Sequence, residues 1–147
     1  MASTYLTRTN AQAATNVDKA TISFWLKRTR LGTEESVFGA YSSDANRLKF
    51  RFRSDNKFDF EVGVGGSWYS LITNRRFIDT NSWYHFVISY DSTQATASDR
   101  TKIYINGVLE TSYATSNYVP QNQDFYFTKN SLGITIGDNY QGGSHQN

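Results

Sequence analysis

Asp59 and Glu61 stand two residues apart in Lys57-Phe-Asp-Phe-Glu-Val62. On an extended strand, residues two apart point to the same face. Two carboxylates on one face suit glycoside hydrolysis, in which one protonates the leaving oxygen and the other attacks or activates water. The preceding run, Arg47-Leu-Lys-Phe-Arg-Phe-Arg53, alternates in the same way, and Ser54-Asp55-Asn56 separates the two. A three-residue loop would pair Arg53 with Lys57, Arg51 with Asp59 and Lys49 with Glu61. A slip of one residue would set phenylalanines against charges, so the register is well specified. The acids then face cations, each opposite-charge pair being worth about 0.2–1 kcal/mol. The spacing therefore predicts the part-neutralised, solvated face of a hairpin and not a catalytic pair.

Other reactive chemistry is sparse. There is no cysteine, so disulfides, thiolate metal sites and Cys nucleophiles are excluded, and only His85 and His145 could serve as imidazoles. His85 lies in an apolar strand and is expected to be buried or half-buried with a hydrogen-bond partner. No Gly-x-Ser-x-Gly or His-Glu-x-x-His pattern occurs. Gly63-Val-Gly65-Gly66 is expected to be a turn with no helix behind it to bind phosphate. Asp44, Asp55, Asp91, Asp99 and Asp138 fall in expected loops. Their spacing is not the dense array that a hard cation wants, and lone turn aspartates usually cap their own turns. Calcium is a secondary expectation, without assignable ligands. Sugar binding is better supplied, because it needs exposed aromatic faces beside amides and carboxylates. Tyr41, Trp68, Tyr69, Tyr113, Tyr118 and Tyr140 sit at loops or strand ends. Asp138 and Asn139 flank Tyr140, so the candidate ligand-binding set is Tyr41, Trp68, Tyr69, Asp138, Asn139 and Tyr140.

These side chains must be positioned by strands. Aromatics make up 16% of the 147 residues, Pro occurs once, and Ser, Thr and Asn are abundant. β-Branched and aromatic residues suit a pleated surface, while Ser, Asn and Gly suit the turns. Period-2 runs are expected as strands at Thr21–Arg28, Arg47–Arg53, Lys57–Val62, Ser67–Thr73 and Trp83–Tyr90. Lys102–Ile105 and Val108–Ser112 flank Asn106-Gly107, a strong hairpin signal. Phe125–Thr128 and Leu132–Gly137 complete roughly nine strands, a count and spacing typical of a sandwich. The expected fold is all-β, a two-sheet antiparallel β-sandwich, as one domain over residues 1–147. Such a chain hides roughly 70% of its unfolded surface, so its core needs no staples. The apolar faces of Trp83–Tyr90 predict a central strand, or a sheet facing a partner. Net charge is +2, which argues against nucleic acid as a partner. No apolar run reaches the roughly 18 residues of a membrane span, and no signal peptide is expected.

Several stretches together resemble a known group. They are Tyr5-Leu-Thr-Arg-Thr9, Ala20-Thr-Ile-Ser-Phe-Trp-Leu-Lys-Arg28, Arg76-Phe-Ile-Asp-Thr80 and Ser82-Trp-Tyr-His-Phe-Val87. Asp91-Ser-Thr-Gln-Ala-Thr-Ala-Ser-Asp99, Lys102-Ile-Tyr-Ile-Asn-Gly-Val108 and Ile136-Gly137 follow in order. In this order they resemble laminin-G-like, concanavalin A-like jelly-roll domains, of the type found in virion proteins of marine phages and aquatic viruses. The resemblance implies a jelly roll and a binding or structural role more than catalysis. In the related glucanases a further carboxylate would stand where this chain has Lys57. The resemblance also implies a last strand beyond Ile136-Gly137, which this sequence does not carry, so a neighbouring subunit or further segment is expected to cover that edge. The implied function is a non-enzymatic virion structural module, a capsid decoration or fibre component, exposed on the virion surface after assembly in the host cytoplasm. Its expected partners are other virion subunits or copies of itself. A lectin-like carbohydrate-binding adhesion module is the alternative, and a degenerate glycoside hydrolase ranks third.

Overall fold

A computed structural model describes residues 5–9, 12, 14–43, 45–129, 133–137, 139–141 and 144–146, the last six by backbone alone. The described residues form thirteen strands. They are β1 (Leu6–Thr9), β2 (Lys19–Lys27), β3 (Glu35–Ser43), β4 (Asn46–Phe52), β5 (Lys57–Val64), β6 (Ser67–Arg76) and β7 (Trp83–Asp91). Then come β8 (Thr101–Ile105), β9 (Val108–Leu109), β10 (Tyr113–Asn117), β11 (Gly133–Ile136), β12 (Asn139–Gln141) and β13 (Ser144–Gln146). A seven-stranded sheet runs in the order β1-β11-β3-β4-β5-β6-β10, and a four-stranded sheet runs β2-β7-β8-β9. Every pairing is antiparallel. The β12–β13 hairpin lies against β3.

Phenylalanines hold the two sheets together. Phe52 and Phe58 from β4 and β5 meet Phe86 from β7 across the layer, and Phe50 meets Phe24 of β2; with Phe60, the phenylalanines of β4 and β5 and Phe86 are almost fully buried. Phe58 and Phe86 have ring centroids 4.6 Å apart, and Phe24 of β2 lies 5.5 Å from Phe86. Each buried ring removes apolar area worth about 1.5–3 kcal/mol, and each good ring pair adds roughly 0.5–1.5 kcal/mol. Arg28 is a charged residue buried against these rings. Its guanidinium lies 4.2 Å over Phe52, contacts Glu35 at 2.7 Å and donates to the carbonyls of Phe77 and Arg30. These bonds stitch the β2–β3 connection to the core.

The β4–β5 hairpin has the register that its alternation predicts, with Arg51 opposite Asp59 and Lys49 opposite Glu61. Asn56 takes the positive φ of 65° that closes its loop. Asn106 and Gly107 do the same between β8 and β9, at 52° and 80°. β7 is a central strand between β2 and β8, as its two apolar faces predict.

Four expectations change. The charged face of β4 is not solvated: Lys49 is only 3% exposed and Asp59 is fully buried. Gly63 and Val64 belong to β5, and the turn is Gly65-Gly66 alone, with φ of 55° and 86°. Phe125–Thr128 is not a strand, because Tyr126–Thr128 forms a 3₁₀ turn. Its two leading aromatics are both buried instead of alternating, and the Thr128 hydroxyl bonds back to the Phe125 carbonyl at 2.6 Å. Beyond Leu109 the strand expected to reach Ser112 stops, since the chain leaves for the other sheet at β10. Among the described residues β2 pairs only with β7, so its other side is an edge nine residues long.

Candidate ligand-binding face

The outer face of the large sheet carries a cross-strand row of Tyr41, Arg47, Gly63 and Trp68, contributed by β3, β4, β5 and β6 in turn. Gly63 makes the row unusual. A methyl group there would come within 2.5 Å of the Trp68 ring, so the missing side chain is what lets the indole lie across β5. The Arg47 guanidinium backs the ring at 4.2 Å from its centroid, a cation–π contact worth about 0.5–2 kcal/mol. The Asn117 amide of β10 donates to the Trp68 carbonyl at 2.8 Å. Trp68 remains 41% exposed. The result is a fixed, half-open aromatic surface.

Beside it runs a polar row of Lys49, Glu61, Ser70 and Asn117. Behind that, Asp59 is held by Arg51 at 2.9 Å, by Arg53 at 3.3 Å and by the Ser70 hydroxyl at 2.6 Å. Glu61 meets Arg51 at 2.8 Å and Arg47 at 3.4 Å. Burial, helped by the positive charge of Arg47, lowers the Lys49 ammonium from 10.5 to about 8, against the pull of Glu61. Burial also acts to lower Arg51, but Asp59, Glu61 and Glu34 outweigh it and hold that guanidinium above its ordinary value. Arg47 Nε is buried without a hydrogen-bond partner among the described residues.

This arrangement can present a flat ring with donors and acceptors beside it. It does not offer Asp59 and Glu61 to a substrate as an acid–nucleophile pair, because Asp59 is buried, paired with Arg51 and Arg53 and hydrogen-bonded by Ser70. Asp55, Asp91 and Asp99 each serve their own neighbourhoods: Asp55 accepts the Lys57 amide, Asp91 holds Thr93 and Gln94, and Asp99 pairs with Lys102. No three His, Asp or Glu side chains converge on a common point among the described residues. His85 is half-exposed, bonded to Ser23 at 2.8 Å and stacked on Trp25 at 4.7 Å.

Of the six residues expected to bind ligand, Tyr41 and Trp68 share the outer face. Tyr69 turns the other way, pairs with Val62 and packs on the core. Asp138 lies outside the described residues, and Asn139 and Tyr140 are described only as backbone of β12. Arg47 and Gly63 complete the site and were assigned other roles from sequence: one to a charged strand face, the other to a turn. Extending the β4–β5 register by one residue beyond Val62 would have placed Gly63 opposite Arg47.

The family model described as the concanavalin A-like lectin/glucanases superfamily, of laminin-G type, matches residues 1–146. The chain belongs to this superfamily. No curated relative matches it in sequence. Its concanavalin A-like fold is shared with a heptameric SAP-like pentraxin from Limulus polyphemus, at TM-score 0.64 and 17% identity, over 97% of this chain and 62% of that one. The CBM40 module of a Ruminococcus gnavus IT-sialidase, bound to α2,3-sialyllactose, aligns at TM-score 0.63 and 14% identity, over 88% of this chain and 68% of that one. Domains LG4-5 of mouse laminin α1 align at TM-score 0.64 and 8% identity, over 97% of this chain and 34% of that one. The chain thus spans under two thirds of the pentraxin and about a third of the laminin fragment.

Proposed function

We propose that this domain is a non-enzymatic carbohydrate-binding module for adhesion, and that a sugar ring stacks on Trp68 at the outer face of the seven-stranded sheet. The observation that carries this reading is the indole seated over Gly63, held by Arg47 and still 41% exposed. Glu61, Ser70 and Asn117 supply hydrogen-bonding groups beside it, and Tyr41 extends the aromatic row. The sialyllactose complex of the CBM40 relative shows that this fold can carry a glycan site. A glycan array probed with wild type and with Trp68→Ala tests the reading. Wild type is expected to select a glycan class. An aromatic stacking contact of about 0.5–1.5 kcal/mol implies two- to tenfold weaker binding by the variant. Equal binding by both proteins would refute it.

Assembly through protein contacts is a second reading, favoured by a different surface. On the four-stranded sheet, Trp25 and Trp83 are 64% and 59% exposed on neighbouring strands. The edge of β2 lies beside them, and its inward row of Ala20, Ile22, Phe24 and Leu26 is only partly buried. Unpaired edges template strand addition. This surface suits a subunit of a larger assembly, of which the expected virion module is one kind.

A further inference from the structure

A cleft of about 350 Å³ opens at the rim, where the free end of the small sheet meets β10 of the large one. That volume falls at the small end of the range for small-molecule sites, roughly 300–1,000 Å³. Its lining includes Tyr113, Tyr118, Glu110, Asp99, Thr101 and Lys102. Thr101 is 2% exposed, and its hydroxyl has no hydrogen-bond partner among the described residues. A buried hydroxyl can both donate and accept, and leaving it unmet is costly.

The charges around the cleft cancel locally. Asp99 contacts Lys102 at 3.0 Å, while Glu110 lies 3.7 Å from Arg75 and accepts the Ser112 amide at 2.9 Å. The Tyr113 hydroxyl is spent on the Glu110 carbonyl at 2.9 Å. No excess of either sign is left to draw in an ion, but donors, acceptors and two phenol rings face one small space. From the orphaned Thr101 hydroxyl in this charge-balanced, tyrosine-walled cleft, we infer a second binding site that takes a neutral polyol the size of one sugar ring. One ligand hydroxyl meets Thr101 Oγ1, others reach the Asp99–Lys102 pair, and the ring packs against Tyr113 and Tyr118. This site shares no side chain with the Trp68 face, so either can fail without the other.

The test is an NMR titration of the intact domain with glucose, galactose and mannose, one at a time. At least one hexose is expected to shift the amides of Thr101, Lys102, Tyr113 and Tyr118. Thr101→Val keeps the side-chain shape and removes the hydroxyl. Loss of a hydrogen bond of about 0.5–1.5 kcal/mol predicts two- to tenfold weaker binding. Lys102→Ala should weaken it too, and Trp68→Ala should leave it unchanged. The proposal is overturned if no hexose shifts these amides in the wild type. Unchanged affinity in Thr101→Val overturns it as well, the hydroxyl then being served by a structural water.

Discussion

Gly63 shows how much one missing side chain can decide. It does not need positive φ, since it sits in regular strand; it needs to be empty, because Trp68 occupies the space above it. Gly63→Ala should expel the indole from Arg47 while leaving the inward Phe58, Phe60 and Val62 row untouched. The expected outcome is weakened glycan binding in a folded domain, together with a change in Trp68 fluorescence. Lys49 makes a second residue-scale prediction. Its ammonium is lowered from 10.5 to about 8 in the folded protein. The unfolded chain therefore binds more protons across that window, and stability should rise with pH there. Below pH 8 the penalty for burying the charge is fully present. Relative to wild type, Lys49→Met should lack that rise, as denaturant unfolding at successive pH values between 8 and 10.5 would measure. Asp59 is the counter-case, a buried carboxylate bound by two arginines and Ser70. Asp59→Ala would strand Arg51 among fewer acids and should cost about 3–5 kcal/mol, the usual loss when one partner of a buried pair is removed.

At the scale of elements, the β4–β5 hairpin was readable because each strand has strict period two and a slip would cost both faces. The Asn106-Gly107 turn was readable because only such residues take positive φ at both positions cheaply. β3 was not anticipated. Its Glu-Ser-Val-Phe-Gly-Ala-Tyr-Ser-Ser run is poor in strong strand formers, and two register shifts against β4 break its alternation. β10, Tyr-Ala-Thr-Ser-Asn, is a polar edge strand held by pairing with β6, a tertiary effect with no local signature. The candidate face was half legible for the same reason. Tyr41 and Trp68 could be picked out by type, but that they share a face depends on cross-strand register over four strands. Tyr69 faces the core while its neighbour Trp68 faces outward, because adjacent strand residues point to opposite faces. Element pairing also carries a pH consequence. The hydroxyl of Thr93, then Gln94 and Lys19, hold Asp91 well below the ordinary carboxylate range. That stabilisation of the β2–β7 end is present at neutral pH and is lost as acid protonates Asp91.

Among the described residues the two main sheets are unequal, with seven strands in one and four in the other. The large sheet carries the fixed aromatic row, whereas the small sheet exposes Trp25 and Trp83 next to the side of β2 that is unpaired among the described residues. If that surface packs against other subunits, sedimentation should show a concentration-dependent oligomer that Trp25→Lys dissociates. A monomer at every concentration would remove the assembly reading and leave the glycan reading intact. The central claim concerns the other face, and a ¹H–¹⁵N NMR titration of the intact domain with the glycan selected on the array tests it most directly. The account predicts shifts at the Trp68 indole N–H and at the amides of Tyr41, Arg47 and Gly63. Saturable binding of that glycan with those four signals unmoved would contradict it.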